Sequence, residues 1–173
     1  MTLQTDCATD DLAWEGSPFA WIKSRPSRLR GKIGGQLAAG WCAARGLDVT
    51  AAPDCECDRM IGGLRAEVRF SAWSAQGGYT FQPFRDQRYD VAVCLGVSPF
   101  DAHCWVIPKD VLMRHVIEHT PQHTGARGRD TFWIHALDPA NAPDWLASYG
   151  GRLKRAIVVL RKLARRRGTT GRP

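Results

Sequence analysis

The stretch Glu56-Cys57-Asp58-Arg59-Met60-Ile61-Gly62-Gly63-Leu64-Arg65-Ala66-Glu67-Val68-Arg69-Phe70 reads as a β-hairpin, and the rest of the chain is arranged around it. Gly62-Gly63 supplies a two-residue turn, because glycine takes positive φ at both positions without steric cost. With that turn, Ile61 faces Leu64, Met60 faces Arg65, Arg59 faces Ala66 and Asp58 faces Glu67. Side chains alternate along a strand, so Glu56, Asp58, Glu67 and Arg69 share one face. Two carboxylates set opposite each other repel unless a cation lies between them. The plain account is a surface pair neutralised by Arg59 or Arg65, with Glu56 pairing to Arg69. A regular strand sends Arg59 and Arg65 to the other face, which favours a divalent metal between the acids.

Upstream of the hairpin, Ser27 resembles a helix N-cap. Leu29, Ile33, Leu37 and Trp41 follow at four-residue spacing, which predicts a helix burying that face and ending at Gly46. Glycines 31, 34, 35 and 40 lower its helix propensity and permit close approach of the backbone to a sheet or a phosphate. Gly31-Lys32-Ile33-Gly34-Gly35 is not a P-loop, since both the preceding strand and the Lys-Ser/Thr ending are missing. Residues 1–26 have no sustained period and read as an arm.

Leu47 to Ala52 reads as a short strand leading into the hairpin, whose second strand runs to about Ala72. Tyr79 to Gln82 is extended, and Pro83 to Asp90 a polar turn or short helix. Asp90 to Val97, a continuous apolar run, is a buried central strand. His103 to Ile107 is a returning strand, Pro108 to His119 a helix, and Thr131 to Leu137 a last strand. A helix from about Asp144, interrupted at Gly150-Gly151, carries a basic end. The order predicts an α/β single domain with a mixed sheet flanked by helices: an arm (1–26), a core (27–150) and a basic C-terminal helix and tail (151–173).

The net charge of +7 is concentrated at that end. Nine of the 24 Lys/Arg lie beyond Gly151 with no acid among them, leaving 15 basic against 17 acidic residues in the remainder. Such a block suits a polyanion, most simply nucleic acid phosphate, with a solvated helix end as the plain alternative. No apolar run reaches the ~20 residues of a membrane helix, and the first residues are acidic rather than signal-like, so the expected location is the cytoplasm. Six cysteines without a secretion signal are expected to be reduced, with Cys42 and Cys94 filling the core. No nucleophile motif of the Gly-x-Ser-x-Gly kind occurs.

Asp58, a turn, and Glu67-Val68-Arg69 on the next strand resemble the PD-(D/E)XK nuclease superfamily, the restriction-endonuclease-like fold. The element order from Ser27 to Val97 is similar to that family's helix and three-stranded meander. The segments 81–90, 95–99 and 144–146 also look like those of small bacterial members. The resemblance implies hydrolysis of DNA phosphodiesters with Mg²⁺ (or Mn²⁺) held by Asp58, Glu67 and the Val68 carbonyl. It gives Arg69 the phosphate-stabilising role; Gln82 and Arg85 would contact DNA or the hydrated metal, with an ordinary strand residue and a solvated charge as the plain alternatives. Lys32, Arg85, Arg152, Lys154, Arg155, Arg161, Lys162, Arg165, Arg166 and Arg167 would contact DNA. Homodimers are common in that family.

Two positions depart from the pattern. Arg69 stands where the family has lysine, and arginine stays charged and cannot give up a proton. Gln36 stands where many members have a helix glutamate. Both changes imply a slow or inactive enzyme. Asp54, after Pro53, is the rival for the first acid. A non-catalytic nucleic-acid-binding module and a structural or interaction subunit are the alternative functions.

Overall fold

The computed structural model describes residues 10–119, 121, 124 and 130–170; residues 1–9 of the arm, most of the loop 120–129 and the end of the tail, 171–173, lie outside them. The helices are α1 (Ala20–Lys23), α2 (Ser27–Ala44), α3 (Lys109–Leu112, continued by a π-helical turn Met113–Ile117), α4 (Asp144–Ala147) and α5 (Leu153–Thr170). The strands are β1 (Val49–Ala51), β2 (Arg59–Ile61), β3 (Leu64–Ala72), β4 (Tyr79–Phe84), β5 (Val91–Val97), β6 (Ala102–Pro108), β7 (Phe132–Leu137) and β8 (Gly150–Arg152).

Six strands form one mixed sheet in the order β1-β2-β3-β5-β6-β8, with β3 and β5 parallel and the other pairs antiparallel. The hairpin register is the one expected: Ile61 pairs with Leu64, Met60 with Arg65 and Arg59 with Ala66. Gly62 (φ 56°) and Gly63 (φ 78°) supply the left-handed turn. Every residue of β5 is buried, as its unbroken apolar run demands. Cys42 and Cys94 are also buried in the core.

Helices α2 and α5 cover one face of the sheet, over Ile61, Val68, Val93, Cys104 and Val106. The other face is covered by α3, α4 and the separate two-stranded sheet β4-β7, through Tyr79, Phe81, Trp105, Leu112 and Ile134. Strand β4 thus leaves the main sheet between β3 and β5, which is what makes that pair parallel.

Three local expectations are corrected. Helix α2 does not bury Leu29 and Leu37, which are 40% and 37% exposed; it buries Gly34, Ala38 and Cys42. Small residues decide the face, because a β-carbon on Gly34 would lie 2.0 Å from the Phe70 ring. The last strand is not 131–137, and Gly150-Gly151 does not interrupt one helix. Those glycines open β8, which pairs with β6 between α4 and α5, and a β-carbon on Gly150 would strike the Cys104 carbonyl at 2.1 Å. Finally, of the polar turn or short helix expected over Pro83 to Asp90, β4 takes Pro83 and Phe84 and an irregular, non-helical loop follows. The described part of the arm contains α1 and buries Trp14 and Ile22.

Candidate active site

Strand β3 has nine residues and β2 only three, so β2 pairs with Leu64–Ala66 and stops. Beyond Ala66 that edge of β3 has no strand partner among the described residues. A cavity of about 380 Å³ opens there between α2 and β4, lined by Gly31, Lys32, Gly35, Gln36, Asp58, Arg59, Val68, Arg69, Phe70 and Gln82.

Asp58 sits where β2 would have continued. Its N–H donates to the Ala66 carbonyl at 3.0 Å, and its carboxylate accepts the Val68 N–H at 2.8 Å. The side chain therefore caps the first free donor of the β3 edge instead of pairing across a ladder. Arg69 organises the rest. Its Nη1 donates to Asp58 Oδ2 at 3.2 Å and to the Val68 carbonyl at 2.9 Å; its Nη2 donates to Glu67 Oε1, and its Nε to the Pro83 carbonyl at 2.6 Å. One guanidinium thus touches both carboxylates and the carbonyl between them.

Glu67 is only 4% exposed. Burial pushes its carboxyl up to about 7; the Arg69 cation pulls the other way, while the adjoining Asp58 carboxylate adds to the rise. Two acids and a backbone carbonyl make a hard, all-oxygen donor set, which fits magnesium because that ion completes its shell with water and substrate oxygens. No group of three or more His, Cys, Asp or Glu side chains suited to a metal occurs among the described residues. Any ion at this edge would therefore rely on the carbonyl and water.

Of the sequence-predicted residues, Lys32, Asp58, Val68, Arg69 and Gln82 line this one cavity, and Glu67 lies against Arg69 beneath it. Gln36 lines it too. The rival acid Asp54 does not reach it. Asp54 pairs with Arg65, whose guanidinium holds its carboxyl below the usual range. Glu56 does not pair with Arg69; it accepts the Arg88 N–H at 3.0 Å. Arg59, expected on the far face, lines the cavity.

Arg85 is exposed in the loop after β4, outside the cavity lining. Arg152 and Arg155 line a different cavity with His103, Asp101 and Asp138, and Lys154 is exposed on α5. Arg161, Lys162, Arg165 and Arg166 share a shallow groove on α5, whereas Arg167 pairs with Asp90. The C-terminal cations therefore gather away from the two acids.

The glycines singled out in the sequence separate by role: Gly34 meets the sheet at Phe70, whereas Gly31 and Gly35 present bare backbone to the cavity. Sequence reasoning missed Arg30 and Thr80, which line the cavity's continuation.

The chain has a mixed α/β fold, shared with a solved structure. A bacterial homing endonuclease, I-Ssp6803I, superposes on it with a TM-score of 0.54 and 21% identity, over 83% of this chain and 99% of that one. No family model matches the sequence, and no curated protein matches it.

Proposed function

We propose that the protein is a metal-dependent nuclease of the PD-(D/E)XK kind, hydrolysing DNA phosphodiesters at the free edge of β3. The carrying observation is the convergence of Asp58, Glu67 and the Val68 carbonyl on one cationic group, the Arg69 guanidinium, whose Nη1 meets Asp58 and Val68 and whose Nη2 meets Glu67. The likeness to a homing endonuclease supports the same reading at the level of fold.

Asp58, Glu67 and the Val68 carbonyl would hold Mg²⁺ or Mn²⁺. Bound there, the ion would polarise the phosphoryl oxygen and lower the pKa of a water. Released from the acids, Arg69 would offer its fork of donors to a non-bridging phosphate oxygen. It cannot serve as general base, since it stays protonated. Gln82 would orient the attacking water by its amide, and Lys32 would hold a flanking phosphate.

A second reading has a specific observation in its favour. The guanidinium already neutralises both carboxylates, so a metal must displace it; a chain that keeps it in place would bind DNA without cutting. Plasmid cleavage with Mg²⁺ or Mn²⁺ separates the two. The expected result is slow cleavage by the wild type that disappears in Asp58→Ala. DNA binding without cleavage under either ion, by wild type and variant alike, would leave only the second reading.

A further inference from the structure

The cavity at the acids does not end at Gln82. A second cavity of about 290 Å³ continues along the free edge of β3, lined by Ser27, Arg30, Gly31, Phe70, Ser71, Ala72, Thr80 and Gln82. The two share Gly31, Phe70 and Gln82, so they are one groove between α2 and β4. Among the described residues, no Asp or Glu lines the second part. Across the whole groove, among the described residues, Arg30, Lys32, Arg59 and Arg69 face a single lining acid, Asp58. Among the described residues, no ion pair engages Arg30 or Lys32.

The wall contributed by α2 is bare. Gly31 and Gly35, one helical turn apart, both line the groove, and a β-carbon on either would meet nothing within 4 Å. Glycine inside a helix costs stability relative to alanine. Gly34 offsets that cost by letting Phe70 in; Gly31 and Gly35 admit no protein atom.

We infer that this groove is the track of one DNA strand, which rests on the nuclease reading above. The phosphodiester backbone lies against the bare face of α2, with Arg30 and Lys32 on phosphates flanking the one at Asp58. Gly31 and Gly35 provide its clearance, and the Thr80 and Gln82 side chains form the opposite wall. Arg30, Gly31, Gly35 and Thr80 are positioning residues that act on the substrate's register rather than on its chemistry.

The test compares Gly31→Ala/Gly35→Ala with Gly40→Ala. Gly40 is a glycine of the same helix that also meets nothing within 4 Å but lies outside the groove. Affinity for a fluorescein-labelled duplex is read by anisotropy without divalent ions, and thermal midpoints are read alongside. Both variants should melt a few degrees higher, on the order expected for improved helix propensity. Only the double variant should lose DNA affinity, by about tenfold or more. Arg30→Gln should weaken binding and lower the salt slope by roughly one phosphate's worth, ~0.9. Wild-type affinity in the double variant, with Asp58-dependent cleavage intact in the parent, overturns the track and leaves the nuclease reading standing. A parent that binds no duplex overturns both.

Discussion

Arg69 is the residue on which the proposed chemistry turns. Its guanidinium satisfies Asp58, Glu67 and the Val68 and Pro83 carbonyls at once, which a lysine ammonium with three donors on a single nitrogen cannot do with the same planar fork. Arg69→Lys should loosen the grip on the carboxylates, and Gln36→Glu would add a second acid to the cavity lining beside Asp58. The double variant is expected to cleave plasmid with Mg²⁺ at least tenfold faster than wild type. Unchanged cleavage, with metal binding also absent by calorimetry, would sink the proposed ligand set.

Glu67 bears on stability as well as on the proposed chemistry. Its folded carboxyl titrates near 7 against an ordinary value of 4.5, so the native state holds the proton more tightly than the unfolded chain. The protonated form's contribution is therefore fully present below about pH 4.5 and is lost as pH rises through 7, a loss of about 3 kcal/mol. Glu67→Gln cannot ionise. Its stability relative to wild type, from urea unfolding, should rise between about pH 4.5 and 7 and level off above that. A flat difference would mean that the Arg69 pair outweighs burial.

At the scale of elements, the contact between α2 and β3 places the Lys32 and Gln36 turn beside the acids. That contact depends on Gly34, where an added methyl would overlap the Phe70 ring. Gly34→Ala should destabilise the fold by about 1–3 kcal/mol despite alanine's better helix propensity. A thermal midpoint at or above that of wild type would show that α2 can slide outward freely. This was also where sequence patterning misled. A row of Leu29, Ile33, Leu37 and Trp41 looks like a buried face, but burial follows from which face lets the backbones approach. The hairpin and β5 were legible because their signals are local: a turn only glycine makes, and an apolar run too long to leave exposed. The strand at Gly150 carried no such signal, since its pairing depends wholly on β6.

Across the whole molecule, the basic C-terminal helix and the acidic site are separate features. Arg161, Lys162, Arg165 and Arg166 cluster on α5, which packs by Ala156, Ile157 and Leu160 onto the sheet. Replacing all four by glutamine should leave stability within about 0.5 kcal/mol, because they are largely surface residues. Duplex affinity should fall, and the slope of log affinity against log salt should shrink by up to ~0.9 for each phosphate no longer neutralised. Unchanged affinity and slope would assign these charges to something other than DNA.

Local sequence was enough to specify the hairpin, its register, the central strand, the basic end and the residues Asp58, Glu67 and Arg69. Each is encoded by neighbours a few positions apart, through turn geometry, periodicity or charge count. What those residues do to one another was settled only when the elements packed. The early end of β2 leaves the β3 edge open, Asp58 turns onto the Val68 N–H, and Arg69 takes up the position between the acids. Packing also sorted the α2 glycines, setting Gly34 against Phe70 and leaving Gly31 and Gly35 bare in a groove. Those outcomes depend on which surfaces meet, and the contacts among α2, β3 and β4 join residues too far apart in the chain for any local pattern to specify.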